Sequence, residues 1–185
     1  MAVTTLDHQT ALIVIDLQKG IVSFPVAHPI DGVIAASARL AEAFRRHNLP
    51  VVLVNVAGGA PGRNEQPRPT GNFPEGFADL IPELNAQAAD HRVTKRTWGA
   101  FTGTGLEAWL RNGGVTQVVL CGVATSIGVE STARFAQEAG FNVAFAVDAM
   151  TDMVAEAHAN SVTRIFPRLG ETGAADDIIA RLDER

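Results

Sequence analysis

Ile13-Val14-Ile15-Asp16 is an apolar run that ends abruptly in a carboxylate, the first place in the sequence where chemistry could sit. Such a carboxyl can move a proton, or it can simply close a strand by accepting nearby backbone N–H groups. Lys95, just past Arg92-Val93-Thr94, could hold a charge in a site or stand solvated at the surface. Gly122-Val123-Ala124-Thr125-Ser126-Ile127-Gly128 joins small residues and hydroxyls at a strand-to-helix junction. Unpaired amides there would bind an anion or a developing oxyanion, while Thr125 or Ser126 as a plain N-cap and Gly122 as a turn residue is the structural alternative. Phe24, Trp98, Phe101 and the loop arginines Arg63 and Arg68 are candidates for holding substrate. Aromatics often only pack, and loop arginines often only meet water, although a guanidinium can grip a carboxylate with two hydrogen bonds.

These residues must be positioned by strands and helices that the same sequence specifies. Ala11-Leu12-Ile13-Val14-Ile15, Val51-Val52-Leu53-Val54, Val118-Val119-Leu120-Cys121 and Val143-Ala144-Phe145-Ala146-Val147 are unbroken apolar runs suited to strands buried on both faces of a parallel sheet. Weaker strand signals lie near Arg92-Val93-Thr94 and Arg168-Leu169. Helical spacing places Val33, Leu40, Ala41 and Phe44 on one face, with Asp31 as N-cap and Asn48 and Pro50 as the stop. Thr104-Gly105-Leu106-Glu107 reads as a capping box. Further helices are expected from Ser126 to Ala139, closed by Gly140, from Met153 to Ile165, and from Ala174 to Leu182. The alternation predicts an α/β fold: a three-layer, doubly wound, mostly parallel, Rossmann-like sheet forming a single domain over residues 1–185. Ligands of such sheets bind beyond the carboxyl ends of the strands, which here carry Asp16, Asn55, Lys95, the Gly122 turn and Asp148. The segment from Gly58 to Pro74 is a long aperiodic loop.

Ile13-Val14-Ile15-Asp16-Leu17-Gln18, Lys95-Arg96-Thr97-Trp98-Gly99-Ala100-Phe101 and Leu120 through Ala133 together resemble the three signature blocks of the isochorismatase-like hydrolases. The resemblance runs from about Thr10 to the last helix and implies the same fold. It implies a catalytic Asp at Asp16 and Lys at Lys95, but Gly128 stands where most of the family has a nucleophilic cysteine. It also implies a cis peptide at Val123-Ala124 and an oxyanion hole made by the amides of Ala124 and Gly128. Isochorismatases proper resemble this chain in having Gly at that position, and their vinyl-ether hydrolysis needs an acid, the role Asp16 would take. They typically show Gly-Val-Tyr-Ala-His-Ile-Gly where this chain has Gly122-Val123-Ala124-Thr125-Ser126-Ile127-Gly128, so isochorismate itself is not the expected substrate. The Gly128-Val129-Glu130-Ser131-Thr132-Ala133-Arg134 stretch is most similar to that of bacterial family members. Thr125, Gln18, Phe24 and Trp98 complete the candidate oxyanion and substrate-binding set. Nicotinamidase-like relatives carry two metal-binding His after the second strand, but no His occurs between Asn55 and Asp90, so no metal and no other cofactor are expected. The implied function is hydrolysis of a small, carboxylated molecule, with a catalytically retired binding or assembly protein as the alternative. The resemblance further suggests a homo-oligomer, a dimer or tetramer.

Composition agrees. Of 185 residues, 46% are hydrophobic and 19% charged, a globular balance. Fifteen Lys and Arg against twenty Asp and Glu give a net charge of -5, and the basic residues come in short pairs, which argues against nucleic acid as partner. No secretion signal or membrane-spanning run is legible, so the expected location is cytoplasmic. The first strand runs into Asp16-Leu17-Gln18-Lys19-Gly20 without a dinucleotide-binding glycine turn. Cys121, the one cysteine, reads as a small apolar residue on a buried strand.

Overall fold

A computed structural model describes residues 3–65 and 73–185. Six strands, β1 (Thr10–Ile15), β2 (Val51–Val56), β3 (His91–Lys95), β4 (Gln117–Val123), β5 (Asn142–Thr151) and β6 (Glu171–Gly173), form one sheet in the order β3-β2-β1-β4-β5-β6. Every pairing is parallel. Helices α1 (Lys19–Val22), α2 (Ile30–Arg46), α3 (Leu106–Asn112), α4 (Glu130–Glu138), α5 (Ala155–Asn160), α6 (Phe166–Leu169) and α7 (Ala175–Asp183) connect and cover the strands.

The continuous apolar runs are explained by burial on both sides. Along β1, Leu12 and Val14 enter one core with Leu40 and Phe44 of α2 and Ile178 and Leu182 of α7. Ala11, Ile13 and Ile15 enter the opposite core with Leu106 and Leu110 of α3 and Phe166 of α6. Truncating such a fully buried Leu or Phe to Ala costs about 2–5 kcal/mol. Cys121 lies in the first of these cores, fully buried, and desolvation pushes its thiol up to about 12.

Strand order reverses at the centre, where β1 lies between β2 and β4 and Ile15 is level with both Val54 and Gly122. The carboxyl ends of β1 and β4 therefore open into one crevice, the site expected for a doubly wound sheet.

Local details depart from expectation in instructive ways. The fifth strand does not stop before Asp148; it continues through Ala149 and Met150 to Thr151. Asp148 is thus a mid-strand residue whose Oδ1 accepts the Ala175 amide at 2.7 Å and so caps α7. The last strand is Glu171–Gly173, and the expected position at Arg168-Leu169 belongs to α6. The expected helix from Met153 begins at Ala155 and passes through a π-helical turn at Ser161–Ile165. The capping box expected at Thr104 does not form, because α3 is capped at Gly105. Thr104 Oγ1 accepts the Leu106 amide at 3.3 Å, but Glu107 pairs with Arg111 instead. Helix α2 starts one residue before Asp31 and ends at His47 and Asn48, the latter in the left-handed region at φ 56°.

Of the long loop, residues 66–72 lie outside the described region. The segments flanking it are fastened to the carboxyl edge of the sheet. Gln18 Nε2 donates to the carbonyls of Val56 and Phe77, Gln18 Oε1 accepts the Val56 amide, and Asn55 Nδ2 donates to Ala78 O. Among the described residues no helix is long and apolar enough to cross a membrane.

Candidate active site

Asp16 follows the last residue of β1, and its backbone turns into the left-handed region at φ 50°. That conformation costs an ordinary residue about 1–2 kcal/mol, and Asp tolerates it better than most. Asp16 Oδ2 accepts from Lys95 Nζ at 2.7 Å, a pair whose side chains are only 7% and 2% exposed. Lys95 Nζ also lies 3.3 Å from Thr97 O. Among the described residues Asp16 Oδ1 has no hydrogen-bond partner although it is buried. Burial drives the Asp16 carboxyl from its ordinary 3.8 up to about 6, and the attraction and hydrogen bond of Lys95 oppose that rise without cancelling it. The result is a carboxyl held well above the usual carboxylate range.

Facing it is the turn after β4. The Val123-Ala124 peptide is cis, Gly122 has φ 111°, and Thr125–Val129 form a π-helical turn leading into α4. Only glycine fits at 122, because a Cβ there would lie 2.0 Å from the carbonyl oxygen of Ile15. At Gly128 a Cβ would lie 3.4 Å from Asp16 Oδ2, so a side chain at this position would project beside the carboxyl. The same Cβ would lie 2.9 Å from Ile15 Cγ2, too close for either group to keep its place. The turn is joined to the segment after Lys95 through Thr132, whose Oγ1 donates to Gly128 O at 2.7 Å and accepts the Ala100 amide at 3.0 Å.

The sequence-derived candidates divide here. Asp16, Lys95, Ala124, Thr125 and Gly128 come together at the ends of β1, β3 and β4. Gln18 adjoins them, but its amide is engaged by the backbone of Val56 and Phe77, which makes it a fastener of the surrounding loops. Phe24 is 45% exposed and lines an apolar cleft of about 570 Å³ with Phe73, Pro74 and Phe77. Trp98 is 62% exposed, whereas Phe101 is buried and stacked on Phe135. Arg63 is exposed, and Arg68 lies outside the described residues. Among the described residues no group of three or more His, Cys, Asp or Glu side chains is placed to hold a metal ion.

Sequence reasoning missed Asp152 and His158. Asp152, at the true end of β5 and buried, accepts Ser126 N at 2.7 Å and Ser126 Oγ at 2.8 Å on Oδ2 and Val154 N at 3.2 Å on Oδ1. His158 Nδ1 lies 2.8 Å from Thr125 Oγ1. The available signal was the continuation Ala149-Met150-Thr151, which carries the strand past Asp148 and makes Asp152 the edge carboxylate.

Residues 10–177 match the isochorismatase domain family. The chain is 41% identical over 184 residues to the isochorismatase family protein YwoC of Bacillus subtilis, covering 94% of each. It is 42% identical over 180 residues to the isochorismatase family protein YecD of Escherichia coli O157:H7, covering 94% of this chain and 96% of that one. A solved isochorismatase family protein from Burkholderia thailandensis superposes with a TM-score of 0.94 at 40% identity, covering 98% of this chain and 100% of the other.

Proposed function

The chain belongs to the isochorismatase family of hydrolases, and from that premise we propose that it is a single-domain, cofactor-independent hydrolase of a small carboxylated molecule, working through Asp16 and Lys95 without a covalent intermediate. The observation that carries this reading is the bare Cα of Gly128, which supplies no nucleophile at the position whose Cβ would stand 3.4 Å from Asp16 Oδ2. A substrate atom presented to this turn would meet a carboxyl that burial lifts to about 6.

On a vinyl ether, protonated Asp16 gives its proton to the enol carbon. Water adds to the resulting cation, the adduct collapses to a carbonyl compound and an alcohol, and the proton lost by water returns to Asp16. Lys95 holds the carboxylate during the ionised interval, and the amides of Ala124 and Gly128 would bind the carboxylate that the substrate carries. General acid catalysis of this kind contributes roughly 10²–10⁴-fold.

The test is turnover of a panel of vinyl ethers, isochorismate included, and small amides. Wild type is expected to hydrolyse at least one, with Asp16→Asn and Asp16→Ala inactive; activity surviving both changes overturns the mechanism. The near-complete burial of the Asp16–Lys95 pair favours a second reading, a binding protein with a structural ion pair. Tight binding of a panel compound that is recovered unchanged would support it. The family resemblance supports assembly into a homo-oligomer, a dimer or tetramer, which light scattering would read as two or four chain masses.

A further inference from the structure

The Thr125 hydroxyl is buried and bonded to a residue that the acid-base reading leaves without a role. The turn from Ala124 to Gly128 is held from its far side by two groups of different character. Asp152 takes the amide and hydroxyl of Ser126 on one oxygen and the Val154 amide on the other, so it is a saturated anchor. His158, on the short helix α5, holds Thr125 through one ring nitrogen that can either accept or donate a hydrogen. Its ring is tilted against His28 with centroids 4.5 Å apart. His28 is in turn fastened to the end of β5, its Nδ1 lying 3.0 Å from Thr151 Oγ1 and its backbone N–H donating to the same oxygen at 3.2 Å.

We propose that His158 is a positioning residue for the oxyanion turn: its imidazole, by accepting the Thr125 hydroxyl, fixes the orientation of the Ala124–Gly128 backbone, and its protonation lets that backbone shift. The role assigned to the turn rests on the function proposed above.

The physical basis is hydrogen accounting at one atom. A neutral imidazole with a bare Nδ1 accepts the Thr125 hydrogen. An imidazolium carries N–H at both nitrogens, so the threonine hydroxyl must reverse and act as acceptor. Thr125 is part of the π-helical turn itself, one residue from Ala124, so its displaced hydroxyl hydrogen must find another acceptor in the buried surroundings of the backbone that presents the amides. The surroundings favour the neutral ring. Burial lowers the tendency of His158 to take a proton, the neighbouring His28 lowers it further, and Asp152 opposes both. On α4, Glu130 is engaged by Ser161 Oγ and Arg134.

The experiment is an NMR pH titration of the full isotope-labelled chain in the Asp16→Asn background, which removes the other group expected to titrate beside the turn. No turnover is needed, so the outcome is independent of whether Asp16 is the acid. His158 is expected to titrate below the ordinary 6.5, and the amide resonances of Thr125, Ser126 and Gly128 are expected to move with the same midpoint. The coupled movement should vanish in His158→Gln, vanish in Thr125→Val while His158 still titrates, and survive in Thr125→Ser, which keeps the hydroxyl. Turn amides that stay still while His158 titrates in the parent, or that move unchanged in either His158→Gln or Thr125→Val, overturn the proposal. Should His158→Gln fail to fold, the two Thr125 variants decide the matter alone.

Discussion

Asp16 and Asp152 are two buried carboxylates at the same edge of one sheet, and the structure treats them in opposite ways. Asp152 is satisfied, with two hydrogen bonds to one oxygen and one to the other, all from neighbouring main chain or the Ser126 hydroxyl. Asp16 is left incomplete, with Lys95 on one oxygen and nothing on the other among the described residues. Burial without enough donors is what lifts the Asp16 carboxyl to about 6, and the same burial with donors supplied makes Asp152 a fastener. Residue type and location do not separate these two carboxyls; the count of donors does.

The sharpest way to break this comparison is to make the two carboxylates amides. Asp16→Asn keeps an acceptor for Lys95 and a residue type that tolerates the left-handed backbone, so the protein should fold and lose about 100-fold or more in kcat/KM on any panel substrate. Asp152→Asn puts an NH₂ where a donor already points, leaving Ser126 or Val154 unpaired at a cost of about 1–3 kcal/mol. Thermal unfolding should read that loss as a Tm lower by roughly 2–12 °C. Equal effects of the two substitutions on both readouts would dissolve the distinction.

The space beside Asp16 can be probed from the other side. Gly128→Cys alone should be strained by Ile15 Cγ2 and melt lower than wild type, and Ile15→Ala should lower the Tm less in the Gly128→Cys chain than in wild type. An equal loss in both backgrounds would mean that the turn, not Ile15, absorbs the added side chain.

Lys95→Met removes the influence that holds the Asp16 carboxyl down, so the acidic group should titrate above about 6 and the pH-rate profile should move to higher pH, provided the variant folds. The smallest effect is on stability. Because the folded state raises this carboxyl from 3.8, Asp16 contributes its full stabilisation below about pH 4 and loses it as pH rises through about 6. Urea midpoints of wild type relative to Asp16→Asn should therefore decline between pH 4 and 7, and a flat difference would contradict the raised carboxyl.

How much of this was readable from residues alone follows the same line. Four strands announced themselves because double-sided burial forces unbroken apolar runs. Asp16 and the turn to Gly128 end such runs, whereas Lys95 follows only the weak signal Arg92-Val93-Thr94; their resemblance to the family's signature blocks singles out the three together. What stayed hidden depended on contacts between distant segments. Met150 and Thr151 extend β5 beyond its most apolar stretch, which moved the edge carboxylate from Asp148 to Asp152. The partnership of Thr125 with His158 spans 33 positions, and no local pattern encodes it. Gln18 was recognisable as part of the site, but its fastening role appears only once the carbonyls of Val56 and Phe77 are beside it.

Cys121 leads somewhere different. A lone thiol at the centre of the sheet, shielded and held protonated, gives alkylating reagents and oxidants nothing to attack while the domain is closed. Compounds that silence cysteine-dependent hydrolases by capturing their thiolate should pass this protein by. The same isolation makes Cys121 a built-in reporter: its labelling rate reads how often the core beneath α2 and α7 opens.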